Sequence, residues 1–404
     1  MKTSDKLKRD LLFSIFAILL GAIIGLIEAG FGWGIVYIGK IRNDFLYWLL
    51  PFLAFAGLLI VFVFKKFGSS ISRGMGMLFD VWTGKSDKIP LRTIPFMIGA
   101  TLLTHLFGGS TGREGVAVQV GASLSHTFGK RLKFEDAGKT FVIVGAAAGF
   151  AGLFRTPLAA IAFSMELIVV SESRFGALFF ATLGAFAASI VSGFLGLMPD
   201  AFPIKESVAL NFPNGAKLVL IAILFSLVGM IFAMLLRLCN KGFAKAFKNP
   251  YVRIAVVGVV VSAVMILTGG RYSGPGGNLI EECFVSGNIL WQDWILKLVL
   301  TVLCLSAGFK GGEVAPLLAI GTTFGMFFGP IIGLPSLLCA ALGGVAVFAS
   351  GTGTLLAPIF IGCELFGWQL APLFILVCFV SKFANRFITI YKDQENGYML
   401  QSDL

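Results

Sequence analysis

The stretch Gly108-Gly-Ser-Thr-Gly-Arg-Glu-Gly-Val-Ala-Val-Gln-Val-Gly121 is a glycine-rich turn that carries one carboxylate and runs straight into an apolar segment. A helix beginning there aims free backbone N–H groups and the positive end of its dipole at whatever lies beside Gly112 to Val116, which makes an anion site. Arg113 and Glu114 sit between hydrophobic walls, where an ionisable side chain is a functional-site hypothesis by default. Glu114 is then a tethered anion at its own helix start.

The walls are membrane-spanning in character. With 57% hydrophobic and 13% charged residues in 404, the chain is too apolar for a soluble protein and reads as an all-α, multi-pass membrane protein. Apolar runs cover about Leu11 to Ile38, Phe45 to Phe64, Ile94 to Phe107, Phe141 to Val170, Phe175 to Leu197, Leu218 to Leu236, Ile254 to Leu267, Ile289 to Ala307 and most of Val314 to Val380. Several are shorter than the ~20 residues a full span needs, and 50 Gly and 14 Pro interrupt them. Short, tilted or broken helices are expected.

The net charge of +11 does not point to nucleic acid in this setting. Lys2, Lys6, Lys8 and Arg9 precede the first span, and Lys65, Lys66 and Arg73 follow the second; the positive-inside bias puts the N-terminus in the cytoplasm. The basic start followed by an apolar run lacks a small-residue cleavage site and is read as a retained first helix. Six scattered Cys with no CxxC, and two His, give no disulfide framework or metal-ligand pattern, and no cofactor is expected.

The polar, proline-bearing stretch Pro199 to Lys217 divides the chain into nearly equal halves. Residues 1–200 are read as a first transmembrane repeat with an N-terminal cytoplasmic helix, 201–217 as a linker, and 218–404 as a second repeat, with no soluble regulatory domain. Gly145 to Leu167 overlays Gly343 to Leu365 at a shift of 198 (343 − 145), with ten identities in 23 positions, among them Thr156/Thr354, Glu166/Glu364 and Leu167/Leu365. Gly112 to Gly121 (GREGVAVQVG) overlays Gly312 to Gly321 (GEVAPLLAIG) at a shift of 200 (312 − 112). Each half thus has a glycine turn, a carboxylate and a helix start at equivalent places. Paired broken helices facing a substrate near mid-membrane are a recurring transporter design. Whether the repeats are inverted is open at this point.

Three glycine turns stand out: Gly74-Met-Gly-Met77, Gly108 to Gly115, and Gly311-Gly-Glu-Val-Ala-Pro316. Glycine lets backbone amides approach an ion closely, and Pro316 suits the first turn of a helix. One such turn usually just breaks a helix; three, two of them repeat-related, indicate a site.

With these residues the chain resembles the CLC-type anion channels and transporters. Gly112-Arg-Glu-Gly115 with Gln119 and Gly121 is similar to that family's GREGP-x-x-Q signature, and Gly311-Gly312 to Pro316 with Gly321 to its GGxFxP signature. Ser273-Gly-Pro-Gly-Gly-Asn-Leu-Ile280 and Pro157-Leu-Ala-Ala-Ile161 sit where the family has similar segments. The resemblance runs from about Gly74 to the C-terminus and implies two inverted repeats of tilted and broken helices, a homodimer, and one anion pathway per subunit. It places Glu114 on the family's gating glutamate, which competes with the anion when ionised and accepts a proton when it swings away. Physics agrees, since a helix start favours the carboxylate and burial favours its acid. Tyr391 matches the family's central tyrosine, whose hydroxyl donates to the anion, with Tyr398 as the nearby alternative.

The departures from the family pattern carry equal weight. Met75 stands where the chloride-selective members have a serine, and Met77-Leu78 replaces Ile-Pro. Val116 replaces the proline of GREGP, Val314 replaces a phenylalanine, and Glu313 replaces an apolar residue. In Phe163-Ser-Met-Glu-Leu167 the chloride exchangers have two consecutive glutamates; Glu166 is kept, and Leu167 takes the place of their inner proton relay. These changes resemble the fluoride-exporting branch. Losing the serine hydroxyl weakens a site made for chloride, and a second acid supplies a proton carrier or acceptor for a small, strongly basic anion.

The resemblance therefore implies a multi-pass fluoride/proton antiporter in a bacterial plasma membrane, exporting fluoride in exchange for protons and conferring fluoride resistance. Glu114 is its gate and proton acceptor, and Glu313 its second acid. Met75, Gly112, Arg113, Gly115, Val116, Val314, Ala315 and Tyr391 line the anion path. A passive fluoride or chloride channel and a chloride/proton exchanger of the same fold are the alternatives. An intramembrane enzyme would need a nucleophile with a base, or a metal cluster, and the sequence offers neither. The simpler structural readings are a charge-partner role for the Arg113 side chain, capping or a subunit-interface hydrogen bond for Glu166 and Glu364, an interfacial or packed place for His105, and a solvated loop for Lys130, Arg131 and Lys133.

Overall fold

The structure is a computed structural model and describes residues 3–68, 74–82, 85–86, 88–132, 134, 137–168, 174–209 and 211–391; Arg73, Lys133 and Tyr398 lie outside them. In the first half the helices are α1 (Thr3–Asp44), α2 (Leu46–Leu49), α3 (Leu53–Phe67), α4 (Gly76–Trp82), α5 (Thr93–Leu106), α6 (Glu114–Gly129), α7 (Ala137–Phe154), α8 (Pro157–Ile168) and α9 (Arg174–Phe194). In the second they are α10 (Phe212–Ala246), α11 (Pro250–Leu267), α12 (Gly277–Val285), α13 (Asp293–Ala307), α14 (Val314–Phe328), α15 (Ser336–Thr352), α16 (Leu356–Phe366) and α17 (Ala371–Ala384). Among the described residues no strand forms, and the two halves meet in a single isolated backbone bridge between Gly112 and Gly312.

Among the described residues, seven helices or helix pairs are long and apolar enough to cross a membrane, and five more are apolar but short. The first helix extends beyond the Leu11–Ile38 run to 42 residues, about 63 Å at 1.5 Å per residue, which exceeds a ~30 Å hydrocarbon core and calls for tilt or projection. The rim helices α1, α3, α9, α10 and α11 present exposed Leu, Ile, Val and Phe outward, with Trp33 and Tyr37 exposed toward the end of α1 and Tyr47 and Trp48 exposed on α2. Such a surface suits lipid, with amphipathic aromatic rings at the level of the headgroups.

Inside this rim, α6, α7, α14 and α15 are buried almost all round. Lipid tails give no hydrophobic drive for helix association, so close backbone approach has to supply the contact energy. The repeat uses the same device twice. A Cβ on Gly121 of α6 would lie 2.0 Å from the carbonyl oxygen of Gly145 on α7, and one on Gly321 of α14 would lie 2.1 Å from that of Gly343 on α15. Any larger residue at either contact would push the paired helices apart.

The hand of the repeat is read from α8 and α16. Near the end of α8, the Glu166 carboxylate accepts from the N–H groups of Leu355 (2.8 Å), Leu356 (2.9 Å) and Ala357 (3.0 Å) at the start of α16. Near the end of α16, Glu364 accepts from Leu158 and Ala159 at the start of α8, both at 3.0 Å. Each glutamate caps the other helix, so the pair runs antiparallel and the repeats are inverted. The capping reading of both residues holds, and each cap joins the two halves.

Candidate anion site

The two glycine turns meet back to back. The Gly112 N–H donates to the Gly312 carbonyl (2.6 Å), and Thr111 Oγ1 donates to the Lys310 carbonyl (3.3 Å). His105, buried at the end of α5, holds Thr111 through its Nε2 (3.1 Å), consistent with a packed histidine. From this junction α6 and α14 run apart, so their N-termini, with the unpaired amides of the first turn, face a common point.

Glu114 is the first residue of α6 and fully buried. Its side chain folds back over its own helix start. Oε2 accepts from the Arg113 N–H at 3.0 Å, and the amides of Glu114 and of Ala315, on α14, also address the carboxyl. A Cβ on Gly112 would lie 2.2 Å from Oε2, and one on Gly312 would lie 2.6 Å from it. Only glycine at these two positions leaves room for the carboxyl between the helix starts. The carboxyl lies on helix-start amides of the kind that bind small anions, and among the described residues its Oε1 has no hydrogen-bond partner. Val116, Val314 and Ala315, in the first turns of the two helices, are buried.

Glu313 precedes α14 by one residue and is used differently. The Tyr391 hydroxyl donates to its Oε1 at 2.5 Å, and its Oε2 lies 4.0 Å from where a Cβ on Gly115 would be. Tyr391 is buried and packs edge-on to Phe163 of α8, with ring centroids 6.5 Å apart. In this arrangement the tyrosine expected to donate to the anion donates to the second acid.

Arg113 contributes its backbone amide to the site and turns its side chain away. Its guanidinium pairs with Asp200, the last residue of the first repeat, at 3.0 Å and lies over the Phe154 ring, 5.1 Å from the centroid. This matches a charge-partner role for the side chain. Met75 packs against the core, and its turn faces the site through Gln119: a Cβ on Gly74 would lie 3.9 Å from the Gln119 amide group, whose Nε2 donates to the Gly115 carbonyl at 2.7 Å.

Lys297, on α13, is a component that the sequence reading passed over. Fully buried, its ammonium donates to the Gly274 carbonyl (2.6 Å), Ser110 Oγ (3.0 Å) and the Tyr272 carbonyl (3.1 Å). Ser110 in turn bonds Thr301 Oγ1 (2.9 Å) and the Cys304 sulfur (3.4 Å). The Ser273–Ile280 segment and the Gly108–Ser110 turn are therefore fixed around one buried cation. A charge inside the Ile289–Ala307 apolar run was the available signal. Asp200 was hidden by its place in the polar Pro199 to Lys217 stretch.

Two antiparallel helix starts that share one buried carboxyl, within a bundle of membrane-length helices, define an anion transport protein of the inverted-repeat kind. The voltage gated chloride channel family model matches residues 56–386. A chloride/fluoride channel protein of Pseudomonas syringae pv. tomato is 33% identical over 362 residues, spanning 87% of this chain and 78% of the relative. A crystal structure of a CLC-type fluoride/proton antiporter superposes with a TM-score of 0.92 at 42% identity, covering 95% of this chain and 98% of the other. A slow cyanobacterial Cl⁻/H⁺ antiporter shares the fold, with a TM-score of 0.79 at 20% identity over 93% and 94% of the two chains. The chain belongs to the voltage gated chloride channel family, whose members are the CLC channels and transporters.

Proposed function

We propose that the protein is a fluoride/proton antiporter that exports cytoplasmic fluoride in exchange for protons across a bacterial plasma membrane, and so confers fluoride resistance. The observation that carries this reading is the Glu114 carboxylate lying on amides of both helix starts. A group that fills the anion's place when ionised has to leave when the anion enters, and the neutral acid is the form that can leave the amides. Anion entry and protonation are thereby coupled at one residue. Supporting it are the 42% identity to a structure described as a CLC-type fluoride/proton antiporter and Glu313, a second acid one position from the repeat equivalent of Glu114.

In this reading Arg113, Gly115, Val116, Val314 and Ala315 supply amides and walls to the anion, Gly112 the space, and Met75 a side chain with no hydroxyl to favour chloride. Tyr391 orients Glu313 so that its second oxygen can take part in proton or fluoride handling. The protein works as a homodimer with one pathway per subunit. A second reading, a passive channel, is favoured by the description of the Pseudomonas relative as a chloride/fluoride channel protein. Reconstitution in liposomes with fluoride and chloride side by side separates them: fluoride efflux exceeding chloride efflux, with protons moving in the opposite direction, supports the antiporter. Anion flux without proton movement supports the channel, and chloride flux exceeding fluoride flux overturns the selectivity.

A further inference from the structure

The tyrosine that meets Glu313 reaches it from a segment with no regular structure of its own. After α17 the chain comes out to the surface, where Phe387 is 71% exposed, and then turns back inward to Thr389 and Tyr391, both buried. Residues 386–391 form neither helix nor strand, so no ladder of backbone hydrogen bonds sets the height of the Tyr391 ring. Individual anchors have to do so.

Three helices supply them. Asn385, at the end of α17, folds back on Ile388, its Nδ2 donating to the Ile388 carbonyl (2.8 Å) and its Oδ1 accepting from the Ile388 N–H (3.2 Å). The same Nδ2 reaches the carbonyl and Oγ of Ser350 on α15, at 3.0 and 3.1 Å. The Ile390 N–H donates to the carbonyl of Gly351, also on α15, at 2.9 Å. Between these two, the Thr389 carbonyl accepts twice from Arg237 of α10, from Nε at 3.0 Å and from Nη2 at 2.6 Å. Of the three anchors only this one has an ionised donor, which makes the shorter and stronger hydrogen bonds. Its planar fork fixes direction as well as distance. The helices themselves do not depend on it, because serine hydroxyls already join them: Ser226 donates to the Ser381 carbonyl (2.8 Å), Ser381 to that of Ala222 (2.7 Å) and Ser350 to that of Ser226 (2.8 Å). Losing Arg237 therefore frees the segment and leaves the bundle.

We propose that Arg237 is a positioning residue for fluoride/proton exchange, acting through Thr389 to hold the Tyr391 hydroxyl on Glu313. The path is short and made of contacts. Thr389 stands two residues before Tyr391, and the Tyr391 hydroxyl donates to Glu313 Oε1 at 2.5 Å. Without the guanidinium, Ile388 and Ile390 keep their anchors while the Thr389 carbonyl between them is free to turn, and the ring that follows loses its fixed approach to the acid. A positioned group is sensitive to such a change, since a displacement of about 1 Å is enough to slow a reaction. The inference rests on the part given above to Tyr391 and Glu313 in proton or fluoride handling.

The test uses the full-length protein in liposomes, with fluoride/proton exchange measured for wild type, Arg237→Gln, Tyr391→Phe and the double variant. Arg237→Gln is expected to slow turnover by about threefold, with the half-saturating fluoride concentration unchanged because the helix-start amides are untouched. In the Tyr391→Phe background it should cost nothing further, whereas a general loss of packing would add in full. Arg237→Lys keeps the charge and one donor and should fall between wild type and Arg237→Gln. Wild-type turnover in Arg237→Gln, or a loss additive with that of Tyr391→Phe, would overturn the proposal. A second readout comes from 3-fluorotyrosine placed at position 391. Its ¹⁹F resonance is expected to move in Arg237→Gln and, by less, in Arg237→Lys; an unchanged resonance in both contradicts the positioning role. If Tyr391→Phe alone exchanges as wild type does, the part given to Tyr391 and Glu313 fails by itself, and the ¹⁹F resonance decides whether Arg237 places the ring. Should Arg237→Gln fail to fold, the cycle and the resonance are read on Arg237→Lys by the same criteria.

Discussion

The starts of α6 and α14 are built from equivalent sequences and put their acids to different use. At α6 the acid is the first helical residue, and its carboxyl folds back onto amides of both halves. At α14 it stands one residue earlier, in the capping position, and its carboxyl is taken by Tyr391. That single-residue offset decides which carboxyl lies on the helix amides and which lies on the Tyr391 hydroxyl, and in the proposed function which of them competes with the anion. The inverted repeat supplies two equivalent helix starts, and moving one acid by one position gives the two carboxyls different partners; in the proposed reading one is the gate and the other its companion.

Removing the gate's charge should break the comparison most severely. Glu114→Gln keeps the shape and removes the proton, so coupled exchange is expected to fall by about a hundredfold or more, the scale on which a positioned acid or base contributes. Radiotracer or fluoride-electrode efflux together with a proton electrode reads it. Glu313→Ile comes next: fluoride turnover should drop by roughly tenfold while the anion still reaches the α6 start, since one buried charge-assisted hydrogen bond of ~1.5–3 kcal/mol is lost. Unchanged turnover and selectivity would make Glu313 a satisfied structural acid.

Tyr391→Phe removes only the donor and should slow turnover by less than Glu313→Ile does. In the Glu313→Ile background it should add nothing further, a non-additivity that a double-mutant cycle reports. The smallest effect on transport belongs to the reciprocal caps. Glu166→Gln and Glu364→Gln should each lower stability by about 1–2 kcal/mol, seen as a lower melting temperature in detergent. Fluoride preference should be unchanged, and Glu166, with three amide donors, should show the larger loss.

The parts of this arrangement that lie along the chain were legible in the sequence. The GREG turn, its partner at Gly311 to Pro316, and the repeat shifts place both helix starts, because glycine and proline patterns act locally on the backbone. Contacts made by folding were not. Tyr391 and Glu313 are separated by 78 positions, and the caps on α8 and α16 by 189 to 206. The overlay marks Glu166 and Glu364 as equivalent, but it does not show that each serves the other's half. Lys297 sits inside an apolar run, where the charge itself was the signal. What it does depends on partners far away in the chain.

The central claim is that one carboxyl, shared by two opposed helix starts, couples the anion to the proton. Proton movement driven by an outward fluoride gradient, in liposomes with no imposed pH difference, tests it most directly. Wild type is predicted to take protons in against the gradient that builds, and Glu114→Gln to take up none. Fluoride efflux from wild type without proton uptake, or proton uptake that persists in Glu114→Gln, would contradict the account.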